Sequence, residues 1–161
     1  MAKKIYVASP LGFSEAGRYF MYQKLIPLIE EAGYEVLDPW KLTPENNFNQ
    51  ILSMPVSPEK TAALKKLNFK IGENNAKSLK LCDGVVAILD GADVDSGTAG
   101  EIGFAYALQK PILGYRGDIR LSSDNMGSIV NLQVEYFIIA SGGKIITNLA
   151  NLKDEMKKLF G

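Results

Sequence analysis

Short apolar runs alternate with longer amphipathic stretches along the chain. The runs are rich in valine, isoleucine, leucine and tyrosine, which is typical of strands covered on both faces. They predict strands at residues 5–8, 34–37, 85–89, 111–115 and 144–146. Apolar positions at helical spacing predict helices at residues 14–33, 59–81, 96–109 and 149–159, and residues 129–139 are a further, mixed apolar segment. We expect Pro27 to kink or divide the first helix and Gly72 to mark a break in the second.

The alternation of strands and helices favours right-handed crossovers onto a parallel sheet. We therefore predict an α/β fold, flavodoxin-like (Rossmann-like), with a five-stranded parallel sheet and helices on both faces. Residues 1–161 are expected to form one domain. In such sheets ligands bind beyond the carboxyl ends of the strands, so the site is expected among the loops that follow Ala8, Leu37, Leu89 and Tyr115.

The segment between the second strand and the second helix is long for a connection. Residues 41–58 contain prolines, asparagines and the apolar side chains of Phe48, Ile51 and Met54. Long connections of this kind are often functional, which favours a substrate lid. The alternative is a plain surface loop.

The charge balance excludes some classes of partner. Lysine plus arginine equals aspartate plus glutamate at 18 each, so no net charge draws the chain to nucleic acid or to an anionic membrane. No apolar run approaches the roughly 20 residues that cross a bilayer. One cysteine and an N-terminus without the apolar region of a signal peptide predict a cytoplasmic protein.

The absence of histidine restricts the chemistry. Acid–base catalysis has to use carboxylates, tyrosine or lysine. Cys82 has no histidine to activate it, so we expect it to be a small buried residue at the start of a strand rather than a nucleophile.

One acid stands out in the predicted helix at residues 96–109. Glu101 is its sole carboxylate, and its neighbours on the same helix face, Gly97 and Thr98 among them, are mostly small. Asp95 or Ser96 is a good N-cap, so Glu101 lies about one turn into the helix, where the dipole weakly favours its ionised form. Glu101 is therefore a candidate nucleophile. The alternative is that it solvates one face of a surface helix.

Several acids are expected near the same edge of the sheet, including Asp38 and the loop acids Asp90, Asp93 and Asp95. The loop acids alternate as in a divalent-cation site, but a calcium loop would need glycine where Asp95 stands. We favour Asp95 and Glu101 acting as a pair on one small molecule, and we expect neither a metal nor a cofactor.

The first loop has some features of a phosphate site. Ser9-Pro10-Leu11-Gly12 precedes a helix and Arg18 follows, but the loop matches neither the dinucleotide glycine fingerprint nor the P-loop. A phosphoacceptor receiver domain would need an acid pair where Ser9 and Pro10 stand. Both interpretations are therefore disfavoured.

Residues 95–105, DSGTAGEIGFA, resemble the D-x-G-x-x-x-E-x-G-x-A motif of the nucleoside 2-deoxyribosyltransferases and the related deoxynucleotide N-hydrolases. The stretches KIYVASP at residues 4–10, GYEV at residues 33–36 and CDGVVA at residues 82–87 look like the first three strands of that family. The resemblance covers most of the chain.

The resemblance implies roles for particular residues. Glu101 falls on the nucleophile that attacks the anomeric carbon, Tyr6 on the tyrosine that orients it, and Asp95 on the aspartate that contacts the deoxyribose near the base. Asn131 matches an asparagine that a neighbouring subunit supplies to the 5′-hydroxyl of the sugar. The resemblance therefore implies a homo-oligomer built from dimers, with a tetramer and a hexamer as the larger alternatives. Further expected substrate contacts are Ser9, Gly97 and Gln133.

The chain departs from the family at Asn75. The family usually has an aspartate there, eight residues before Asp83, and it hydrogen-bonds the base. An amide donates and accepts hydrogen bonds but does not deliver a proton as an acid does. We expect Asn75 to contact substrate and Asp95 to take over the proton role. Phe13, Trp40 and Phe48 are candidates for stacking on the base, with core or loop packing as the alternative.

The resemblance implies transfer of 2-deoxyribose between nucleobases with retention, through a covalent glycosyl-enzyme on Glu101. Its partners would be a deoxynucleoside and a free nucleobase. The alternatives are a 2′-deoxynucleoside 5′-monophosphate N-hydrolase, with Ser96 and Arg18 near the phosphate, and a non-catalytic nucleotide-binding module of the same fold.

Overall fold

Five parallel strands form one sheet in the order β2-β1-β3-β4-β5. The computed structural model describes residues 2–42 and 45–161, without the side chains of residues 45–47. The strands are β1 (Lys4–Ala8), β2 (Glu35–Leu37), β3 (Gly84–Ile88), β4 (Ile112–Tyr115) and β5 (Ile145–Ile146). This is the flavodoxin-like order that the sequence predicts, and each strand lies within one residue of its predicted position.

The central strands are apolar on both faces because helices cover both. In β1, Tyr6 and Ala8 belong to one hydrophobic core, whereas Ile5 and Val7 belong to the other. Every residue of β3 is buried. The uninterrupted apolar runs of the sequence thus correspond to central strands between two cores.

The helices are α1 (Glu15–Phe20), α2 (Ile26–Glu31), α3 (Glu45–Leu52), α4 (Pro58–Leu81), α5 (Ser96–Ala107), α6 (Leu132–Ala140) and α7 (Leu152–Phe160). A π-helical segment, Met21–Leu25, joins α1 to α2. It lies just before Pro27, which has no N–H to donate, and the backbone N–H of Ile26 bonds to the carbonyl of Met21. The first helix is therefore divided as predicted, and the division is a π-helical segment in which the helix is locally wider.

Two helical predictions need correction. Residues 45–52 of the predicted loop form α3. In α4 the helix continues through Gly72 without the predicted break, because one glycine costs only about 1 kcal/mol in a helix of this length. Residues 43 and 44 lie outside the described residues, and a lid role for this segment stays a prediction.

The mixed apolar segment at residues 129–139 becomes α6, which begins after the N-cap Asn131. The closing helix is preceded by a 3₁₀ turn, Leu149–Asn151, so α7 begins three residues later than predicted. Cys82 lies between α4 and β3 and is buried, as expected. Among the helices of the described residues, none combines the length and the apolar character that a membrane span needs.

Candidate active site

Tyr6 and Glu101 meet at the sheet edge where the site was expected. Tyr6 lies on β1 and is completely buried, and its hydroxyl donates a hydrogen bond of 2.6 Å to Oε1 of Glu101 on α5. Glu101 is partly buried, so it does not simply solvate an exposed helix face. The strand fixes the phenol, and the phenol fixes one oxygen of the carboxyl group.

Asp95 is the N-cap of α5. Its Oδ2 accepts hydrogen bonds from the backbone N–H of Thr98 at 3.0 Å and from the Thr98 hydroxyl at 3.3 Å. A Cβ on Gly97 would stand 3.1 Å from the same oxygen, a tight contact that glycine avoids. Asp95 is close enough to Glu101 for the two carboxyl groups to influence each other electrostatically.

Asn75 on α4 is the third residue around Glu101. Its Nδ2 donates to Oε1 of Glu101 at 3.3 Å, so the Tyr6 and Asn75 donors converge on the same oxygen. Among the described residues, no hydrogen bond or ion pair engages Oε2 of Glu101. One oxygen is therefore held while the other is available to a ligand.

Burial controls the protonation of this cluster. It raises the pKa of Glu101 to about 7, with a further upward contribution from Asp95, while the hydrogen bonds from Tyr6 and Asn75 act in the opposite direction. Burial and the nearby Glu101 carboxylate hold the pKa of Tyr6 well above its usual range, so the phenol remains a donor. The site thus contains a carboxyl group that ionises near neutrality, a property typical of functional sites.

Two acids of the loop between β3 and α5, Asp90 and Asp93, accept hydrogen bonds from backbone N–H groups. Asp90 Oδ1 accepts from the N–H groups of Gly117 and Asp118, at 2.6 and 2.9 Å, and Asp93 accepts from the N–H of Val94. In the described ranges, no three carboxylate or cysteine groups gather as metal ligands would. Asp38 is buried, and its carboxylate accepts hydrogen bonds from the Tyr22 hydroxyl and from the backbone N–H of Trp40.

Arg116 is a residue that the sequence analysis missed. It follows β4 directly, is 1% exposed, and donates to three backbone carbonyls, those of Leu89, Gly91 and Arg120. The guanidinium thus ties the loop that leads to Asp95 to the loop after β4. A signal was present, since the arginine directly continues a buried apolar strand.

A model of the nucleoside 2-deoxyribosyltransferase family matches residues 5–133, a range that contains each residue of the cluster around Glu101. The chain belongs to this family. No curated protein matches the sequence significantly. The family consists of enzymes that act on nucleosides.

Solved structures share the fold. A conserved protein from Enterococcus faecalis V583 is 25% identical over 98% of this chain and 99% of its own, with a TM-score of 0.68. A 2-deoxyribosyltransferase from Bacillus psychrosaccharolyticus is 23% identical over 94% and 90%, with a TM-score of 0.62. A CMP N-glycosidase from Clostridium botulinum is 20% identical over 97% and 98%, with a TM-score of 0.57.

The first loop of this family member lies at the same sheet edge. Ser9 is buried, and its hydroxyl accepts from the N–H of Leu11. Trp40 donates from its indole to the Ser9 carbonyl and lies against Gly12, where an added Cβ would come within 2.1 Å of the ring. Trp40 therefore packs against the loop, which is the alternative to stacking on the base.

Phe13 packs edge-on against Trp40, with ring centroids 4.6 Å apart, yet remains 77% exposed. Of the stacking candidates it leaves the most ring surface open to a base. Phe48 on α3 is 41% exposed.

Asn131 and Gln133 lie at the start of α6. The Asn131 carboxamide caps the helix, accepting from the N–H groups of Gln133 and Val134, and its Nδ2 donates to Asp124 at 3.3 Å. Gln133 is exposed. In the described part of the chain no hydrogen bond joins either residue to the cluster around Glu101. A role for Asn131 in the site of a neighbouring subunit stays a prediction.

Proposed function

We propose that this protein is a nucleoside 2-deoxyribosyltransferase that passes 2-deoxyribose from one nucleobase to another through a glycosyl ester on Glu101. The observation that carries the proposal is the convergence of Tyr6 and Asn75 on Oε1 of Glu101, with Oε2 unengaged. A carboxylate that is fixed through one oxygen is placed to attack with the other.

In the first step a lone pair of Oε2 attacks the anomeric carbon of the deoxynucleoside. The bond to the base nitrogen breaks, its electron pair leaves with the base, and the base nitrogen takes up a proton that we propose is relayed from solvent by Asp95. A second base then attacks the same carbon through a ring nitrogen, loses its proton and displaces Glu101. Two inversions give net retention. The missing 2′-hydroxyl makes the oxocarbenium-like transition state easier to reach.

The proposed roles of the surrounding residues follow from their contacts. Tyr6 orients the nucleophile, and its raised pKa keeps the phenolic proton in place. Asp95 is held by Thr98 through Oδ2, which leaves Oδ1 to contact the deoxyribose and the leaving base. The exposed ring of Phe13 is proposed to stack on the base.

The Clostridium botulinum CMP N-glycosidase is by its name an enzyme that cleaves a nucleoside monophosphate. It favours a second candidate function, hydrolysis of a nucleoside 5′-monophosphate, which the family resemblance narrows to a 2′-deoxynucleoside. Arg18 and Ser96 are exposed and would have to bind the phosphate. The carboxylate of Asp124, beside Asn131, favours a neutral 5′-hydroxyl over a phosphate at the position where we propose that Asn131 acts. We therefore prefer the transferase.

The two functions are separated by product analysis. The protein is incubated with 2′-deoxyinosine and free adenine, and separately with 2′-deoxyadenosine 5′-monophosphate alone. We expect 2′-deoxyadenosine in the first mixture and no release of adenine in the second. Adenine released solely from the monophosphate would replace the transferase with the hydrolase, and the absence of both products would contradict both functions for purine substrates.

The pH dependence of transfer is expected to follow the nucleophile. Glu101 has to be ionised to attack, and its pKa is raised to about 7, so kcat/KM should fall about tenfold per pH unit on the acid side of that value and level off above it. Initial rates at limiting 2′-deoxyinosine between pH 5 and 9 measure this profile, a range chosen to include the pKa of about 7. A profile that stays flat down to pH 5, as for a carboxyl group that titrates near 4.5, the ordinary glutamate value, would contradict the assignment.

Asn131 is proposed to serve the site of a neighbouring subunit. Helix α6, which it caps, exposes Leu132, Tyr136 and Ile139, an apolar surface that suits contact with a second copy. Asn131→Ala is expected to raise KM for the deoxynucleoside about tenfold, as for the loss of one good hydrogen bond, with a smaller change in kcat.

The control for that variant is Asn148→Ala. Asn148 also caps a turn through its side chain, so this variant loses a cap, worth about 1 kcal/mol, without affecting the proposed contact. Steady-state kinetics and sedimentation are measured for both. If KM is unchanged in Asn131→Ala, or equally raised in both variants, the shared site is wrong.

A further inference from the structure

Asn75 is placed against the nucleophile without any other hydrogen bond that would account for its side chain. Its Nδ2 donates to Glu101 Oε1 at 3.3 Å. Its Oδ1 is buried and has no hydrogen-bond partner among the described residues. A buried acceptor without a partner costs free energy, so stability alone does not explain an asparagine at this position.

Among the described residues, the groups that face Glu101 provide no positive charge. From β1 comes the Tyr6 hydroxyl, from the loop before α5 the carboxylate of Asp95, and from α4 the amide of Asn75. Asp38 and Cys82 influence Tyr6 and are not cationic either. No ion pair in the described ranges includes Glu101. An ionised Glu101 is therefore supported by the Tyr6 and Asn75 donors, against burial and Asp95.

The amide orientation suits an ionised Glu101. A carboxylate oxygen accepts from Nδ2, whereas Oδ1 in the same place would set two acceptors against each other. An aspartate at position 75 would place a second carboxyl group beside Glu101, and two carboxyl groups that share a site do not both ionise readily.

We propose that Asn75 is a positioning residue that favours the ionised form of Glu101 and holds Oε1 so that Oε2 faces the sugar. The second half of this statement rests on the proposed function. The first half concerns the ionisation of Glu101 and is measured without any substrate.

The test is a carbon-13 NMR titration of the Glu101 carboxyl group, assigned by the loss of its signal in Glu101→Gln. In Asn75→Asp the midpoint is expected to rise by about one pH unit or more, because a like charge is added in contact. In Asn75→Leu it is expected to rise as well, because a donor is lost while no charge is added.

The matched control is Asn74→Asp. Asn74 is the neighbouring residue on α4, and its amide donates to the Leu42 carbonyl rather than to Glu101. This control adds the same charge to the same helix, and the Glu101 midpoint is expected to move by less than about 0.3 units, because solvent screens a charge that is not in contact. Thermal unfolding of Asn75→Leu should show no loss of stability, since the variant also removes a buried acceptor without a partner.

The outcomes separate this inference from the proposed function. Equal midpoints in Asn75→Asp and Asn74→Asp, or an unchanged midpoint in Asn75→Leu, overturn the role of Asn75 even if transfer is observed. The expected shifts in a protein without transfer activity would support the ionisation half and remove the proposed function. With transfer present, the acid limb of kcat/KM should move upward together with the NMR midpoint.

Discussion

Glu101→Gln is expected to lower the rate of deoxyribosyl transfer about ten-thousand-fold or more. Glutamine has nearly the shape of glutamate, and its amide oxygen still accepts from Tyr6 and Asn75, so the local packing is preserved. What is lost is the anionic oxygen that we propose forms the ester, and no other described carboxylate accepts a hydrogen bond from the Tyr6 hydroxyl. The rate is measured by chromatography of the product from 2′-deoxyinosine and adenine.

The same variant is expected to be more stable than the parent protein at pH 8. The folded pKa of Glu101, about 7, lies above its ordinary value of 4.5, so the folded state loses stability as pH rises through this interval. Glutamine removes that loss, and thermal unfolding at pH 8 should show a higher Tm, with the difference vanishing below about pH 4.5. Inactivity with raised stability separates a lost nucleophile from a damaged fold.

Glu73→Gln is the matched control for the activity measurement. Glu73 lies on the exposed face of α4, where it pairs with Lys70 and Lys77, and the same change there should leave transfer unaltered. Activity of Glu101→Gln within tenfold of the parent protein would remove Glu101 from the mechanism.

Arg116→Met is expected to cost about 3 kcal/mol or more of the free energy of unfolding. The guanidinium is buried and satisfies the carbonyls of Leu89, Gly91 and Arg120. Methionine fills part of the same volume but leaves these acceptors without donors. Because the Leu89 and Gly91 carbonyls belong to the chain that leads into α5, transfer activity should fall as well.

Urea unfolding followed by circular dichroism measures the loss, with Arg120→Met as the control. The Arg120 side chain is exposed and pairs with Asp118 at the surface, where such a pair contributes about 0–1 kcal/mol. A destabilisation of Arg116→Met that is no larger than that of the control would contradict the role of Arg116 in joining the two loops.

The fold could be predicted from the sequence because its central strands are buried on both faces. Each such strand appears as an uninterrupted apolar run, and the intervening lengths suit helical crossovers. The prediction was wrong at α3, because prolines and asparagines around residues 41–58 resemble a loop in composition. Phe48 and Ile51 are nevertheless spaced as on one face of a helix.

The candidate site was predictable in part. The position of Glu101 as the sole acid in an apolar, glycine-rich helix singled it out from the sequence, whereas the contact of Tyr6 with it was expected from the resemblance alone. Arg116 was missed although it directly continues a buried apolar strand, because its partners are backbone carbonyls, and no residue type in the sequence identifies them. The proposed role of Asn131 involves a second subunit, and the geometry of one chain does not test it.

The central claim is the covalent glycosyl ester on Glu101, and mass spectrometry of the protein tests it most directly. The protein is mixed with 2′-deoxyinosine in the absence of an acceptor base, quenched with acid within seconds, and digested. We predict that the peptide containing Glu101 gains the mass of one deoxyribosyl group, that added adenine removes the label as 2′-deoxyadenosine, and that Glu101→Gln is not labelled. Transfer without a labelled peptide, or a label on another residue, would contradict the account.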